Sequence, residues 1–389
     1  MKEINACGAF SNWGKELGVV ARARLGLNQL GHILTIVSGG KDKGVHFRRR
    51  LGLLQMAERK AVILGANKIY PHRVYATNRH FDVWLGGFSP VIVEYQGEEA
   101  VLVNLKQASD FTRGALIARL VEHGVKEGIP LAPFFQTKKG DQIFICHNSP
   151  FALQRLMPGT SISAKDVTYE QLTSAIDLLS AFHKAMETVK VDLHGVDRFK
   201  GSLNAFYNNI DQRWSALLIE AKRQGNNSNI CQRILENETL IVEAFSISKE
   251  RRSACDSVNL QYVHGDSHIR NFLFLDDKAS ALIDYEMMDV GSKYDDYARF
   301  FVFAGVDGCY FDHDRIYKLL EYMVDKEYIS KKEVPHVLDA IRNLFLKFIV
   351  NYWPVGVVGI WGKKKEGHHS FIEALGYMLN AFGSKNVRL

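Results

Sequence analysis

The sequence predicts an α+β protein in which a small antiparallel sheet precedes a larger, mostly helical part. Apolar and polar residues alternate between residues 81 and 106, which is the period of half-buried strands. After about residue 168, apolar residues recur at helical spacing instead. The chain of 389 residues is long enough for two lobes, and its composition, 47% hydrophobic and 24% charged, is that of a globular protein.

We predict three parts: a basic N-terminal extension (1–80), an N-terminal lobe (81–158) and a helical C-terminal lobe (159–389). The extension holds 14 Lys or Arg against 4 Asp or Glu, a net charge of +10, whereas the whole chain carries +6. Such asymmetry indicates an anionic partner, such as a glycolipid, a membrane or a nucleic acid, or else a basic face that meets acidic neighbours or solvent. The sequence does not reveal the fold of the extension.

Cysteine usage and hydropathy predict a cytoplasmic protein. The five cysteines are widely scattered, which fits neither a disulfide framework nor a zinc site and favours a reducing compartment. The N-terminus lacks the apolar core of a signal peptide. The most apolar late run, residues 344–361, is interrupted by Lys347 and Pro354, so we interpret it as buried core rather than a membrane span.

The elements of the N-terminal lobe follow from local signals. Residues 81–106 read as a strand, a glycine turn at Gly86-Gly87 and two further strands. Residues 110–128 then form a predicted helix, and a hairpin is expected to turn at residues 138–141, "KKGD".

The C-terminal lobe opens with a predicted helix over 168–189, which Thr168 caps. Two more helices are expected within 201–252, around the loop "GNNSN", and helical patterns resume after residue 291. The boundary between the lobes lies near 156–161.

The stretch "YVHGDSHIRNFLFLDDKASALIDYE" (262–286) places polar residues between apolar runs. It reads as a strand, a tight turn holding Asp266, and a hairpin that Asn271 opens and Asp284 ends. A hairpin brings its flanking residues together, so these three side chains meet at one mouth. Their oxygens suit Mg²⁺, and a further carboxylate can accept a proton from a hydroxyl that attacks phosphorus. The alternative is that the acids are ordinary turn residues.

This segment resembles the signature of the aminoglycoside phosphotransferase and choline kinase superfamily, whose members have a bilobal fold similar to protein kinases. The likeness rests on "HGDxxxxN" followed by "IDxE", and it extends over roughly 84–305. Further matching features are Asp296 in "GSKYDDYARFF" and Phe182-His183 at the end of a helix.

The resemblance implies roles for the residues of the hairpin. Asp266 would be the catalytic aspartate, while Asn271 and Asp284 would hold Mg²⁺. Glu286 would either share a metal ion or have a structural role. His264 is expected to be a scaffold residue whose hydrogen bonds hold the turn.

The nucleotide site is predicted in the N-terminal lobe. Lys106 ends the strand "VNLK", as does the kinase lysine that contacts the nucleotide phosphates, and Glu122 on the following helix would hold it. Lys106 equally suits a solvent-facing lysine at a strand end. Gly86 and Gly87 would form the turn over the phosphates, although their surroundings do not match G-x-G-x-x-G.

The predicted function is an ATP-dependent, Mg²⁺-dependent phosphotransferase. It would move the γ-phosphoryl group to a hydroxyl of a small molecule such as an amino alcohol, a sugar or an aminoglycoside. Alternatives are a larger anionic glycan or lipid-linked acceptor docked by residues 1–80, and a nucleotide-binding pseudokinase. His268 and Arg270, inside the catalytic loop, depart from the usual residues of small-molecule kinases.

Overall fold

The computed structural model describes residues 62–80, 90–105, 111–146, 149–224, 229–250, 260–307 and 310–357. The chain forms two compact units, residues 1–65 and 66–389. Residues 62–69 are helical. Every element named below belongs to the second unit.

A five-stranded sheet forms the N-terminal lobe. Its strands are β1 (Val74–His80), β2 (Val91–Tyr95), β3 (Glu98–Asn104), β4 (Phe144–Cys146) and β5 (Ser149–Arg155). Their order is β1-β2-β3-β5-β4, and all neighbouring strands are antiparallel. The small antiparallel sheet predicted from the sequence is therefore confirmed. Strand β1 precedes residue 81, where the sequence predicts this lobe to begin.

Helix α1 (Phe111–Lys126) contacts helix α2 (Tyr169–Met186) and reaches the sheet at Gly114, where a Cβ would lie 3.6 Å from Cβ of Pro150 in β5. Ile117 and Val121, one helical turn apart, are fully buried on the packed face. Gly114 permits the close approach, because a Cβ there would lie 2.8 Å from Cδ1 of Ile143.

The predicted hairpin turning at 138–141 is wrong in its first arm. The turn exists, since the Thr137 N–H donates to the Asp141 carbonyl at 2.7 Å. The preceding segment lies beside β5 instead: the Phe135 N–H donates to the Leu153 carbonyl at 2.8 Å, and the Arg155 N–H donates to the Pro133 carbonyl at 3.0 Å. Pro133 has no N–H to give to a regular ladder.

The C-terminal lobe is mostly helical, as predicted. Thr168 caps its first helix in a capping box with Gln171. Its helices are α2 (Tyr169–Met186), α3 (Leu193–Gln224), α4 (Asn229–Glu236), α5 (Glu238–Glu250), α6 (Lys293–Gly305), α7 (His313–Asp325) and α8 (Val334–Val357).

The prediction of two helices within 201–252 is wrong, because α3, α4 and α5 all reach into this range. Helix α3 begins earlier, where the Asp192 carboxylate accepts a hydrogen bond from the Gly195 N–H at 2.6 Å. Helices α4 and α5 are separated by one residue, Asn237, and apolar periodicity does not reveal so short a break.

Short strands lie between these helices and carry the hairpin of interest. They are β6 (Thr160–Ser161), β7 (Gln261–Val263), β8 (Phe272–Leu275), β9 (Lys278–Leu282), β10 (Asp289–Gly291), β11 (Val306–Asp307) and β12 (Tyr310–Phe311). Strands β8 and β9 are the two arms of the predicted hairpin, with β6 beside β8, while β7 pairs with β10 and β11 with β12.

The late apolar run contributes to the core of the C-terminal lobe. Phe345, Leu346 and Ile349 on α8 are fully buried. This is the role predicted for the part of the run that the structure describes. Among the described residues, no helix combines the length and the apolar character that crossing a membrane requires.

Candidate active site

A tight turn joins β7 to the loop that holds Asp266. Gly265 at this turn has φ +77°, a conformation that glycine adopts without strain. A Cβ at this position would lie 2.4 Å from the Met287 carbonyl oxygen. The loop therefore rests directly on the backbone of the short 3-10 turn Tyr285–Met287.

His264 is a buried support of this turn, as the sequence predicts. Its Nε2 lies 2.9 Å from the Ile283 carbonyl, and its Nδ1 accepts the Asp266 N–H at 3.2 Å. The two contacts require Nε2 to carry the proton. Burial lowers the pKa of His264, so the ring is neutral, and its two contacts link the loop of Asp266 to the end of β9.

Asp296, in the first turn of α6, holds the backbone of the same loop by hydrogen bonds. Its carboxylate accepts the backbone N–H groups of His264 and Gly265, each at 2.8 Å, and lies 3.0 Å from Nε2 of His183 on α2. Burial works to raise the pKa of Asp296, but the hydrogen bond and charge of His183 and the interactions with His264 lower it below its ordinary value. Asp296 is thus an ionised support that does not reach the surface.

The Asp266 side chain is partly exposed, with 26% of its surface accessible. Its Oδ1 accepts a hydrogen bond from the Arg299 guanidinium at 3.0 Å, and its Oδ2 lies 3.6 Å from Nε2 of His268. The Nδ2 of Asn271 donates to the Asp266 backbone carbonyl at 2.7 Å. These contacts fix the carboxylate while leaving it open to solvent.

Asp284 stands at the end of β9, as predicted. The Ile283 N–H donates to the Asn271 carbonyl at 2.9 Å, which brings the two ends of the hairpin together. Asp284 has φ 68° and ψ 65°, a left-handed conformation that is rare outside glycine, asparagine and aspartate. This backbone conformation turns the chain out of β9 and into the 3-10 turn at Tyr285.

No cation among the described residues compensates the charge of the Asp284 carboxylate. Desolvation by the surrounding protein, followed by the charges of Glu286 and Asp266, raises its pKa to about 7. The side chain nevertheless keeps exposed surface, so it is accessible from outside. The effect of these two charges shows that Glu286 and Asp266 lie near Asp284 at the mouth of the hairpin.

A recess of about 120 Å³ extends from this mouth to the sheet. Asn104 and Gln154 supply polar groups from β3 and β5. The Oδ1 of Asn104 is buried without a hydrogen-bond partner among the described atoms. The recess is lined by Pro90, Val103, Asn104, Leu105, Gln154, Asp284, Tyr285 and Glu286. Sheet and hairpin thus form one cavity.

Tyr285 fastens the two lobes beside this recess. Its hydroxyl accepts the Ala132 N–H and donates to the Leu282 carbonyl, both at 2.5 Å. The Leu282 N–H in turn donates to the Pro130 carbonyl at 3.1 Å. The connection after α1 and the end of the hairpin are therefore joined by hydrogen bonds in a buried place.

Comparison with known families decides the identity of the fold. A sequence profile described as the phosphotransferase enzyme family matches residues 105–313, which is more than half of the chain and includes the whole hairpin. The chain belongs to this phosphotransferase family. No match to the phosphotransferase was found among curated proteins.

Solved structures share the fold of this phosphotransferase. Amicoumacin kinase, in complex with AMP-PNP, Ca²⁺ and Ami, has a TM-score of 0.52 at 10% sequence identity, and the alignment covers 84% of this chain and 93% of the kinase. An aminoglycoside phosphotransferase from Alicyclobacillus acidocaldarius has a TM-score of 0.51 at 16% sequence identity, and the alignment covers 78% of this chain and 93% of that protein. Spectinomycin phosphotransferase, in complex with ADP and spectinomycin, has a TM-score of 0.50 at 11% sequence identity, and the alignment covers 83% of this chain and 94% of that protein. The predicted kinase-like bilobal fold is confirmed.

Some predicted site residues of the phosphotransferase lie outside the described residues, namely Gly86, Gly87 and Lys106. Glu122, the proposed partner of Lys106, forms an ion pair with Lys126 of its own helix at 2.9 Å and is 43% exposed. The pairing of Lys106 with Glu122 stays a prediction.

Sequence reasoning missed the contact of Arg299 with Asp266. Arg299 lies three residues after Asp296, so a helix that places Asp296 under the loop also turns Arg299 towards the same loop. The signal was present in "DDYAR" (295–299), but only the helix and its position define the target.

Proposed function

We propose that this phosphotransferase transfers the γ-phosphoryl group of ATP to a hydroxyl group of a small molecule. The observation that carries the proposal is the convergence of Asp266, Asn271 and Asp284 beside the recess that runs to the sheet. Structures with the same fold bind ADP or AMP-PNP, which supports ATP as the phosphoryl donor.

In the proposed reaction, Asp266 accepts the proton of the acceptor hydroxyl. The acceptor oxygen forms a bond to the γ-phosphorus, the bond from that phosphorus to the ADP oxygen breaks, and the proton passes from Asp266 to solvent. Arg299 holds Oδ1 of Asp266 in place, and Asn271 holds its backbone. Catalysis of this kind depends on positioning, because the protein takes part in no covalent intermediate.

The donor set at the mouth fits Mg²⁺. Asn271 donates its Nδ2 to Asp266, which leaves its Oδ1 free to bind a metal ion, and Asp284 contributes a carboxylate whose charge no described residue compensates. Mg²⁺ typically takes one or two protein carboxylates together with substrate phosphates. Bound there, Mg²⁺ would neutralise phosphate charge, and Glu286 stands close enough to Asp284 to influence it.

The acceptor class is the finer part of the proposal. Two proteins with the same fold have structures in complex with spectinomycin and with Ami, respectively. We propose an amino alcohol, a sugar or an aminoglycoside-like compound, bound between the catalytic loop and the helices of the C-terminal lobe.

The test is nucleotide turnover with Mg²⁺ and a pooled panel of hydroxyl-bearing metabolites, read by product mass. We expect one acceptor to gain a single phosphoryl group, with Asp266→Asn inactive and Asp276→Asn, in the exposed turn between β8 and β9, fully active. Binding of Mg²⁺–ATP without any transfer across the panel would favour the pseudokinase alternative. Absence of nucleotide binding would refute the proposal.

A larger anionic acceptor docked by residues 1–80 remains the second candidate because of the charge of +10 in that segment. Counterion release makes such binding steeply salt-dependent. Turnover of an anionic glycan that falls with salt, and that deletion of residues 1–61 abolishes, would favour this candidate.

A further inference from the structure

A second cavity, of about 620 Å³, lies between α1 and the segment that precedes α3. Its size is in the range of pockets that hold small ligands. It shares no lining residue with the recess beside Asp284. The residues that line it are Thr112, Arg113, Leu116, Arg119, Leu120, His123, Val189, Lys190, Asp192, His194 and Tyr262.

The lining of this basic cavity is strongly positive. Arg113, Arg119 and Lys190 carry permanent charge at neutral pH, and a protein cavity that concentrates one sign of charge attracts ions of the other. Its one acid, Asp192, is committed to the protein. One carboxylate oxygen accepts the Gly195 N–H at 2.6 Å, and the other accepts the Tyr262 hydroxyl at 2.9 Å.

Two of the three permanent cations have no counter-ion among the residues that the structure describes. Arg119 and Lys190 form neither an ion pair nor a hydrogen bond with any residue in the described ranges, and both are exposed to the cavity and solvent. Arg113 contacts the Asp289 carboxylate at 3.4 Å, which is longer than a strong bidentate pair. This partly open cavity thus holds two cations, Arg119 and Lys190, whose charge no described residue compensates.

The basic cavity touches both elements that position the active site. Tyr262 belongs to β7, which leads directly into His264 and Asp266, and Arg113 contacts Asp289 on β10, which follows Glu286. Strands β7 and β10 pair with each other. An occupant of the cavity would therefore contact β7, the strand that leads into the loop of Asp266.

We propose that the basic cavity binds a small polyanion, a molecule carrying at least two phosphate or carboxylate groups. Guanidinium groups form paired hydrogen bonds with such groups, and Lys190 supplies a further point charge. Arg113 and Arg119 line the cavity from α1 and Lys190 lines it from the segment before α3, so positive groups from two elements are available to two anionic groups. The site is independent of the phosphoryl donor and of the acceptor at Asp266.

The test is calorimetric titration of the full-length protein with inorganic pyrophosphate in metal-free buffer, where nucleotide-site binding that depends on Mg²⁺ does not contribute. The test variant is Arg119→Ala/Lys190→Ala. The control is Lys331→Ala/Lys332→Ala, which removes the same charge from an exposed segment outside the cavity. Asp284→Asn serves as a second control that alters only the recess at the hairpin.

We expect wild-type protein and both controls to bind pyrophosphate equally, and the test variant to bind at least tenfold more weakly. Equal loss in the test variant and in Lys331→Ala/Lys332→Ala would reduce the effect to general charge attraction and overturn the proposal. So would absence of binding to the wild type, or full retention in the test variant. A change in affinity in Asp284→Asn, in either direction, would place the pyrophosphate at the recess beside the hairpin and equally overturn the proposal.

Discussion

His183 and Asp296, 113 residues apart in the chain, form a buried pair at 3.0 Å beneath the catalytic loop. The same carboxylate receives the backbone N–H groups of His264 and Gly265. One side chain on α6 therefore ties the end of α2 to the turn that presents Asp266.

Replacing this anchor is expected to unfold the loop. Asp296→Asn removes the charge and puts an N–H donor where two N–H groups and a ring nitrogen point, so we expect a loss of about 3 kcal/mol in the free energy of unfolding. Urea denaturation midpoints measure the loss. The neighbouring Asp295→Asn is the matched control: burial raises the pKa of Asp295, so a neutral side chain fits there. Equal losses in the two variants would contradict the anchoring role of Asp296.

The lowered pKa of Asp296 also predicts an acid-side dependence. A carboxyl group whose pKa is depressed by folding stabilises the protein above its unfolded pKa, about 4, and this contribution is lost as pH falls through the folded value. Wild-type stability should therefore decline below about pH 4. The decline should be smaller in Asp296→Asn, and identical pH profiles for the two proteins would argue against this assignment.

Asp266→Asn is expected to lower kcat by about 10²–10⁴, since it removes the proposed proton acceptor but keeps the shape of the side chain. Its melting temperature and its affinity for Mg²⁺–ATP should stay near those of the wild type. Asp276→Asn, in a left-handed turn position that asparagine tolerates, is the control with the same chemical change. A kcat in Asp266→Asn within threefold of the control would exclude Asp266 as the base.

Gly265→Ala is expected to destabilise the protein through a steric clash with the Met287 carbonyl oxygen, 2.4 Å from the new Cβ. Gly140→Ala has the same positive φ, +84°, but its Cβ would meet no atom within 4 Å. The difference between the two variants isolates the clash from backbone strain, and we expect it to be about 1–3 kcal/mol. Equal melting temperatures would show that the loop moves freely away from Met287.

The raised pKa of Asp284, about 7, predicts the opposite pH dependence to Asp296. Between about pH 4 and pH 7 the folded protein binds more protons at this site than the unfolded chain, so its contribution to stability falls as pH rises. In metal-free buffer, Asp284→Asn should therefore gain in melting temperature over the wild type at pH 8 and lose that advantage at pH 4. A gain that is the same at both pH values would place its cause elsewhere.

Addition of Mg²⁺ should reverse this order. A cation favours the ionised form of Asp284, so Mg²⁺ should raise the melting temperature of the wild type more at pH 8 than at pH 6. The increase should be small in Asp284→Asn at both pH values, and chelation of the metal should restore the original melting curves. A similar increase in the variant and the wild type would exclude Asp284 as a ligand.

The sequence predicted those features that depend on residues close together in the chain. The spacing of Asp266, Asn271 and Asp284 predicted a hairpin mouth, because strand periods and turn residues determine it, and the family resemblance implied a supporting His264. The contacts of Arg299 and His183 were not predictable in this way. They join residues far apart in the chain, and helical periodicity gives the face of a helix but not its neighbour.

The elements that were predicted incorrectly share a physical cause. Pro133 diverts the first arm of an expected hairpin onto β5, and Asn237 interrupts a helical pattern for a single residue. Hydrogen bonds to β5 decide the course of the segment at Pro133, and a one-residue break divides the helices at Asn237. Local propensity is too weak a signal to predict either feature. The basic cavity was not predictable from the sequence, because α1 and the segment before α3, which supply its charges, are far apart in the chain.

The phenol of Tyr285 limits how the two lobes can move relative to each other. It is held on one side by Ala132 and on the other by Leu282, so the two lobes share an attachment beside the recess. A rotation of the lobes that widens the recess would cost least if its axis passed through this attachment, since any other axis stretches buried hydrogen bonds. We therefore expect any such rotation to have its axis near Tyr285.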